Sequence, residues 1–225
     1  MHELTELIRQ DMRPALGVTE PGAIAFAVAT ARKHTTGNIR RIVLGLNSGM
    51  FKNAFTCGIP GSDKVGNAHA AALGAVGADP EKGLECLDGI TPEQAQRARE
   101  LVEKGCVKVE MREITSRIFI EATVETDSGT ACVTIRDSHT NIVKITENDG
   151  VVWEKTAEAE KREEEVPLIH RYTLAQLYDY VQTVPIEELY FIRKAFATNL
   201  TLFEAGLNSP KTGFARYLLA ANGGS

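Results

Sequence analysis

The chain has 225 residues, 43% of them hydrophobic and 24% charged, with a formal net charge of −5. That length admits one or two domains with a sizeable core. The acid excess argues against nucleic acid as a partner, which would want a basic face. No apolar run reaches the roughly 18–20 residues of a membrane span, because Arg32 and Lys33 close the 21–31 stretch.

Residues 2–12 predict a short helix with Leu4, Leu7 and Ile8 on one side. The stretch is charged from its third residue and lacks the apolar core of a signal peptide, so the cytoplasm is the expected compartment. A second helix is expected from Thr19, read as its N-cap, with Pro21 in the first turn where a missing N–H is harmless. Residues 38–59 read as two β-type stretches around Asn47, Ser48 and Gly49. A Pro-Gly-Ser turn then leads to a helix over 64–78, rich in Ala and Gly. Small side chains let two such helices approach closely.

The character changes after residue 90. Thr91 caps an exposed amphipathic helix over 91–105, and four alternating β-rich segments follow, separated by Asp-Ser-Gly, Ser-His-Thr and Asn-Asp-Gly turn signals. They predict an antiparallel meander of four or five strands. Residues 154–167 are almost wholly charged and read as a solvated linker. Helical periodicity returns at 174–184 and 186–207, and a further helix starts around Phe214. The expected class is α+β: a helical domain over 1–90 plus 166–225, interrupted at 91–165 by a small α+β insertion with an antiparallel sheet. The helical part reads as unfinished, which predicts exposed apolar surface and self-association.

Four cysteines stand at 57, 86, 106 and 132, with no CxxC pair and no His at zinc-finger spacing, so they read as separate buried thiols and no metal ligand is assigned. Three polar clusters carry the chemical possibilities. Thr19 and Glu20 stand at a helix start, where orphan N–H groups and the positive dipole end suit a carboxylate; simple capping explains them equally. Asn47 and Ser48, followed by Lys52 and Asn53, could hold a substrate carboxylate, or could answer only to turn chemistry. The run 137–141, Asp-Ser-His-Thr-Asn, offers more donors and acceptors than a hairpin needs. His139 within it is a candidate acid or base near neutral pH, or an exposed turn histidine. His69 reads as a satisfied core residue. No P-loop, dinucleotide fingerprint, nucleophile elbow or HExxH motif occurs.

Five segments in order, PALGVTEPGAIAFAVATAR, NSGMFKNAFTCGIPGS, AAALGAVGADPEKGLECL, DSHTNIV and VPIEELYFI, resemble the N-terminal half of the L-cysteine desulfidase family. This group, also termed UPF0597, is related to the iron–sulfur L-serine dehydratase alpha chain. The resemblance implies β-elimination from a small amino acid, giving pyruvate and ammonia, with sulfide from L-cysteine or water from L-serine. It implies a [4Fe–4S] cluster and no pyridoxal phosphate. It places Glu20, Lys52 and His139 as catalytic residues, with Thr19, Asn47, Ser48, Asn53, Ser138, Thr140 and Asn141 lining the substrate pocket. The inserted segment resembles a small substrate- or effector-binding domain. Two departures matter. The family usually has Cys where this chain has Val18, and its other cluster cysteines belong to a C-terminal portion beyond these residues. The cluster is therefore not expected on this chain alone. Two readings stay open: part of a longer iron–sulfur lyase, acting as a homo-oligomer or with a missing half, or a cluster-free amino-acid-binding or regulatory relative.

Overall fold

Helix α2, Thr19–Lys33, is buried along nearly its whole length, from Pro21 through Ala29. Its alanines at 23, 25, 27, 29 and 31 leave no polar face for water, so the helix can only sit inside. The partner is α4, Asn67–Val76, which buries Ala70, Ala71, Ala72 and Ala75. The two helices touch at Gly74, where an added Cβ would lie 2.5 Å from the Ala25 carbonyl oxygen. Only glycine fits there.

The computed structural model describes residues 2–12, 16–156, 167–210 and 213–224. These fall into two units, residues 15–163 and residues 1–14 with 164–225. The class is α+β, as the sequence predicts. In the first unit the elements run α2, β1 (Ile39–Asn47), α3 (Ser48–Ala54), α4, a short 3-10 turn at Pro80–Glu85, and α5 (Pro92–Glu103). Strands β2 (Val107–Glu113), β3 (Phe119–Thr126), β4 (Thr130–Arg136), β5 (Ile142–Glu147) and β6 (Gly150–Glu154) follow. They form one six-stranded sheet in the order β2-β1-β3-β4-β5-β6. One face carries Ile42, Leu44, Ile120, Val124, Val133 and Ile135, all fully buried with α2 and α4 in a single apolar core.

Three expectations change here. Residues 48–54 are a helix, not a strand: Met50 and Ala54, four apart, both bury, and that helical spacing outweighs the turn-like Asn-Ser-Gly. The sheet is mixed rather than purely antiparallel. β1 lies between β2, which it pairs in parallel, and β3, which it pairs antiparallel. Parallel neighbours need a crossover, and α3, α4 and α5 provide it. The boundary expected at 90/91 therefore cuts through one sheet, because β1 supplies a central strand of what was read as a separate insertion. The charged segment expected as a linker lies, at 157–166, outside the described residues.

In the second unit, α1 (Glu3–Asp11) buries Leu4 and Thr5. The Thr5 hydroxyl meets the Tyr180 hydroxyl at 2.8 Å and donates to Glu188 Oε2 at 3.2 Å, while the His2 backbone N–H reaches the same carboxylate. Among the described residues three α-helices follow in this unit: α6 (Leu174–Thr183), started by a Thr173–Gln176 capping box, α7 (Tyr190–Leu207) and α8 (Phe214–Ala221).

Candidate functional site

The first turn of α2 departs from the expected capping geometry. Val18 occupies the N-cap position, and Thr19 is already helical, so its hydroxyl is released from capping. It turns outward instead, to 3.3 Å from His139 Nε2 and 3.5 Å from Glu20 Oε2. Glu20 sits where a negative charge is favoured by the helix dipole. Its other oxygen, Oε1, accepts a hydrogen bond from Asn53 Nδ2 at 3.0 Å. Three elements thus converge: the start of α2, the last turn of α3, and the turn joining β4 to β5.

That turn is built to present His139. Asp137 takes a left-handed conformation, φ 66°, which Asp tolerates. Asn141 Nδ2 donates to the Arg136 carbonyl at 3.0 Å, and the Asp137 N–H donates to the Ile118 carbonyl, closing the loop on both sides. His139 is half-buried in the result. Burial holds its pKa below the ordinary imidazole value, and the neighbouring Glu20 charge opposes that shift without cancelling it. The ring is therefore neutral near pH 7. One arrangement satisfies every contact: Nε2–H donates to Thr19, whose hydroxyl donates to Glu20. Nδ1 then keeps its lone pair, with no protein donor among the described residues. A neutral imidazole with a free acceptor nitrogen, backed by a hydroxyl and a carboxylate, can take up a proton.

Sequence reasoning missed Cys57. Its thiol donates to the Asn53 carbonyl at 2.8 Å, and burial followed by the Glu20 charge pushes its pKa up. Its spacing, four residues after Asn53, becomes a signal only once 48–54 is known to be a helix. The remaining candidates are placed elsewhere. Asn47 is buried at the end of β1, where Nδ2 donates to the Thr115 carbonyl and Oδ1 accepts from the Phe119 N–H. Ser48 donates to the same Thr115 carbonyl at 3.3 Å. Both pin the 114–118 loop to the sheet. Lys52 is exposed beside Asn53, with no ion pair or side-chain hydrogen bond among the described residues. Ser138 and Thr140 are exposed in the turn, and Asn141 Oδ1 accepts from Lys155 Nζ at 2.9 Å. The structure thus brings Thr19, Glu20, Asn53 and His139 into one hydrogen-bonded group. His69 is half-buried, with Nδ1 3.2 Å from the Val65 carbonyl.

The thiols do not suit an iron–sulfur cluster. A cluster needs converging thiolates. Here Cys86 is sealed in the core, its Sγ donating to the Gly22 carbonyl, with its pKa pushed up to about 12 by burial. Cys132, on β4, is also raised by burial. Among the described residues no three His, Cys, Asp or Glu side chains group as metal ligands. Nor is any described helix long and apolar enough to cross a membrane.

No family model matches the chain, and no solved structure matches it. Several proteins do. A UPF0597 protein of Clostridium botulinum is 32% identical over 222 residues, covering 96% of this chain and 52% of the relative. A UPF0597 protein of Dichelobacter nodosus is 32% identical over 207 residues, 92% of this chain and 48% of the relative. One of Yersinia enterocolitica is 35% identical over 205 residues, 89% of this chain and 47% of its own length. The chain spans about half the length of the curated relatives it matches. With relatives in three species 32–35% identical over 89–96% of its residues, the chain belongs to the UPF0597 family.

Proposed function

We propose that this chain carries the amino-acid-binding and proton-handling part of a β-eliminating lyase acting on L-cysteine or L-serine. The observation that carries this reading is the Thr19–Glu20–Asn53–His139 group, a neutral imidazole backed by a hydroxyl and a carboxylate at a helix start. The substrate carboxylate suits the N–H groups opening α2, with exposed Lys52 as a nearby cation. His139 Nδ1 takes the α-proton of the amino acid. The electron pair forms the Cα–Cβ double bond as the Cβ–S or Cβ–O bond breaks, its pair leaving on sulfur or oxygen. The resulting aminoacrylate becomes an imine, and water hydrolyses it to pyruvate and ammonia. Glu20 and Thr19 hold the imidazole in orientation and offset the positive charge that it gains. The [4Fe–4S] cluster implied by the resemblance would need thiolates from beyond the described residues.

A second reading, amino-acid binding without elimination, is favoured by Val18 at the position usually held by Cys and by thiols held in their protonated form. One experiment separates the two. The chain is titrated calorimetrically with L-cysteine and L-serine, and pyruvate is assayed anaerobically after reconstitution with iron, sulfide and the separately produced unmatched half of the Clostridium botulinum relative. The lyase reading expects pyruvate, with His139→Gln lowering the rate by about 10²–10⁴-fold. Binding without pyruvate establishes the second reading. Failure to bind either amino acid sinks both.

A further inference from the structure

Nine successive residues of α7, Ala195 through Phe203, carry no charge, although the helix buries none of its residues. A solvated helix normally shows charged side chains on its outer face. Here Ile192, Phe196, Leu200, Phe203 and Leu207 recur at three- and four-residue spacing and make an apolar stripe. Phe196 is 68% exposed. Helix α8 adds Phe214, Tyr217 and Leu218, of which Tyr217 is 78% exposed.

The two helices are held together. Arg216 Nη1 donates to the carbonyls of Leu207 at 3.1 Å and Ser209 at 2.8 Å, which caps the end of α7 with a side chain of α8. The exposed surface is therefore a fixed hairpin face. Six side chains, at 196, 200, 203, 214, 217 and 218, leave on the order of 600 Å² of apolar area in water. That equals the largest apolar patch on a typical monomer, about 300–600 Å². A groove of about 530 Å³ beside it, lined by Ile186, Leu189, Tyr190 and Phe196 among others, extends the same apolar surface through Phe196.

We infer that this face of α7 and α8 is the docking surface for the polypeptide that makes up the other half of the UPF0597 length. The match of 222 residues to 52% of the Clostridium botulinum relative means that the relative holds almost as much polypeptide again. The six side chains supply about 600 Å² of the roughly 800 Å² per side that a stable interface buries, and the adjoining groove extends the same surface. The required partner chemistry is an apolar face, since a charged one would be desolvated against the uncharged stripe without compensation. The inference does not depend on the lyase reading.

The test mixes this chain with the unmatched half of each of the three relatives, produced separately, and follows assembly by sedimentation velocity. A 1:1 complex with at least one of them is expected. Phe196→Glu and Tyr217→Glu should each weaken it by tenfold or more while leaving far-ultraviolet circular dichroism unchanged. Phe196→Gln serves as the milder variant and should weaken it less. The inference is overturned if none of the three halves binds, or if binding ignores every variant. It is equally overturned if the chain forms a homodimer that these variants dissociate and the added half does not displace. Because the readout is assembly, its failure is distinct from a failure to form pyruvate.

Discussion

The two units treat their apolar residues in opposite ways. In residues 15–163, α2, α4 and one face of the sheet seal Ile24, Leu44, Leu73, Ile120 and Ile135 completely. In α7 and α8 of the other unit no residue is buried, although their sequences are no less apolar than that of α2. Hydrophobicity alone therefore does not decide what is inside. The first unit has both sides of its layers within reach, a helix layer against a sheet. The second offers helices with apolar stripes and, among the described residues, too little to lay against them.

The largest test of that contrast substitutes equivalent aliphatic side chains. Ile120→Ala, at the fully buried start of β3, should cost about 2–5 kcal/mol, from lost burial and the cavity left behind. Leu200→Ala on α7 should change stability by less than about 0.5 kcal/mol in the isolated chain. Urea midpoints decide it, and a Leu200→Ala cost as large as that of Ile120→Ala would show that α7 is already packed. A smaller effect is expected at Thr91, whose side chain accepts from the Gln94 N–H while Gln94 Oε1 accepts from the Thr91 N–H. Thr91→Ala should destabilise the first unit by about 1 kcal/mol. Fluorescence of Trp153, on β6 and the only tryptophan, reports it.

The smallest effect is electrostatic and refines the picture of the site. His139 titrates below its ordinary value in the folded chain, so the unfolded chain takes up the proton first as pH falls. Its contribution to stability is therefore complete above the unfolded pKa of about 6.5 and is lost as pH drops through the folded value. Following the imidazole protons by NMR should give a midpoint below about 6.5. Glu20→Gln should move it lower still, because the Glu20 charge is the influence that raises it. An upward move would mean that Glu20 is not the charge sensed by His139.

Some of this was legible in the chain and some was not. The α2 start announced itself through Thr-Glu-Pro, and His139 stood out because its turn holds more polar atoms than a hairpin needs. Both signals are local. The role of Thr19 was not legible, since a helix-start threonine reads as a cap unless Val18 is known to take that place. Cys57 escaped because its significance depends on the last turn of α3, a helix that looked like strand and turn. The position of β2 escaped for a different reason. Alternation fixes which side of a strand is buried and says nothing about which strand lies next to it. Asn47 shows the cost of reading composition alone: a polar residue beside a Gly-containing turn looked available for substrate, yet it is spent on the Thr115 carbonyl and the Phe119 amide.

The placement of β1 also sets the order in which the molecule can be completed. Both of its edges are matched by strands that come much later, Val107–Glu113 on one side and Phe119–Thr126 on the other. While the ribosome is still making the intervening helices, this aliphatic segment has no neighbour on either edge. Pairing at such separation slows folding and leaves the nascent segment prone to sticking to other chains. The first unit is thus a late assembler during synthesis, and the crossover helices, able to form locally, are its natural early scaffold.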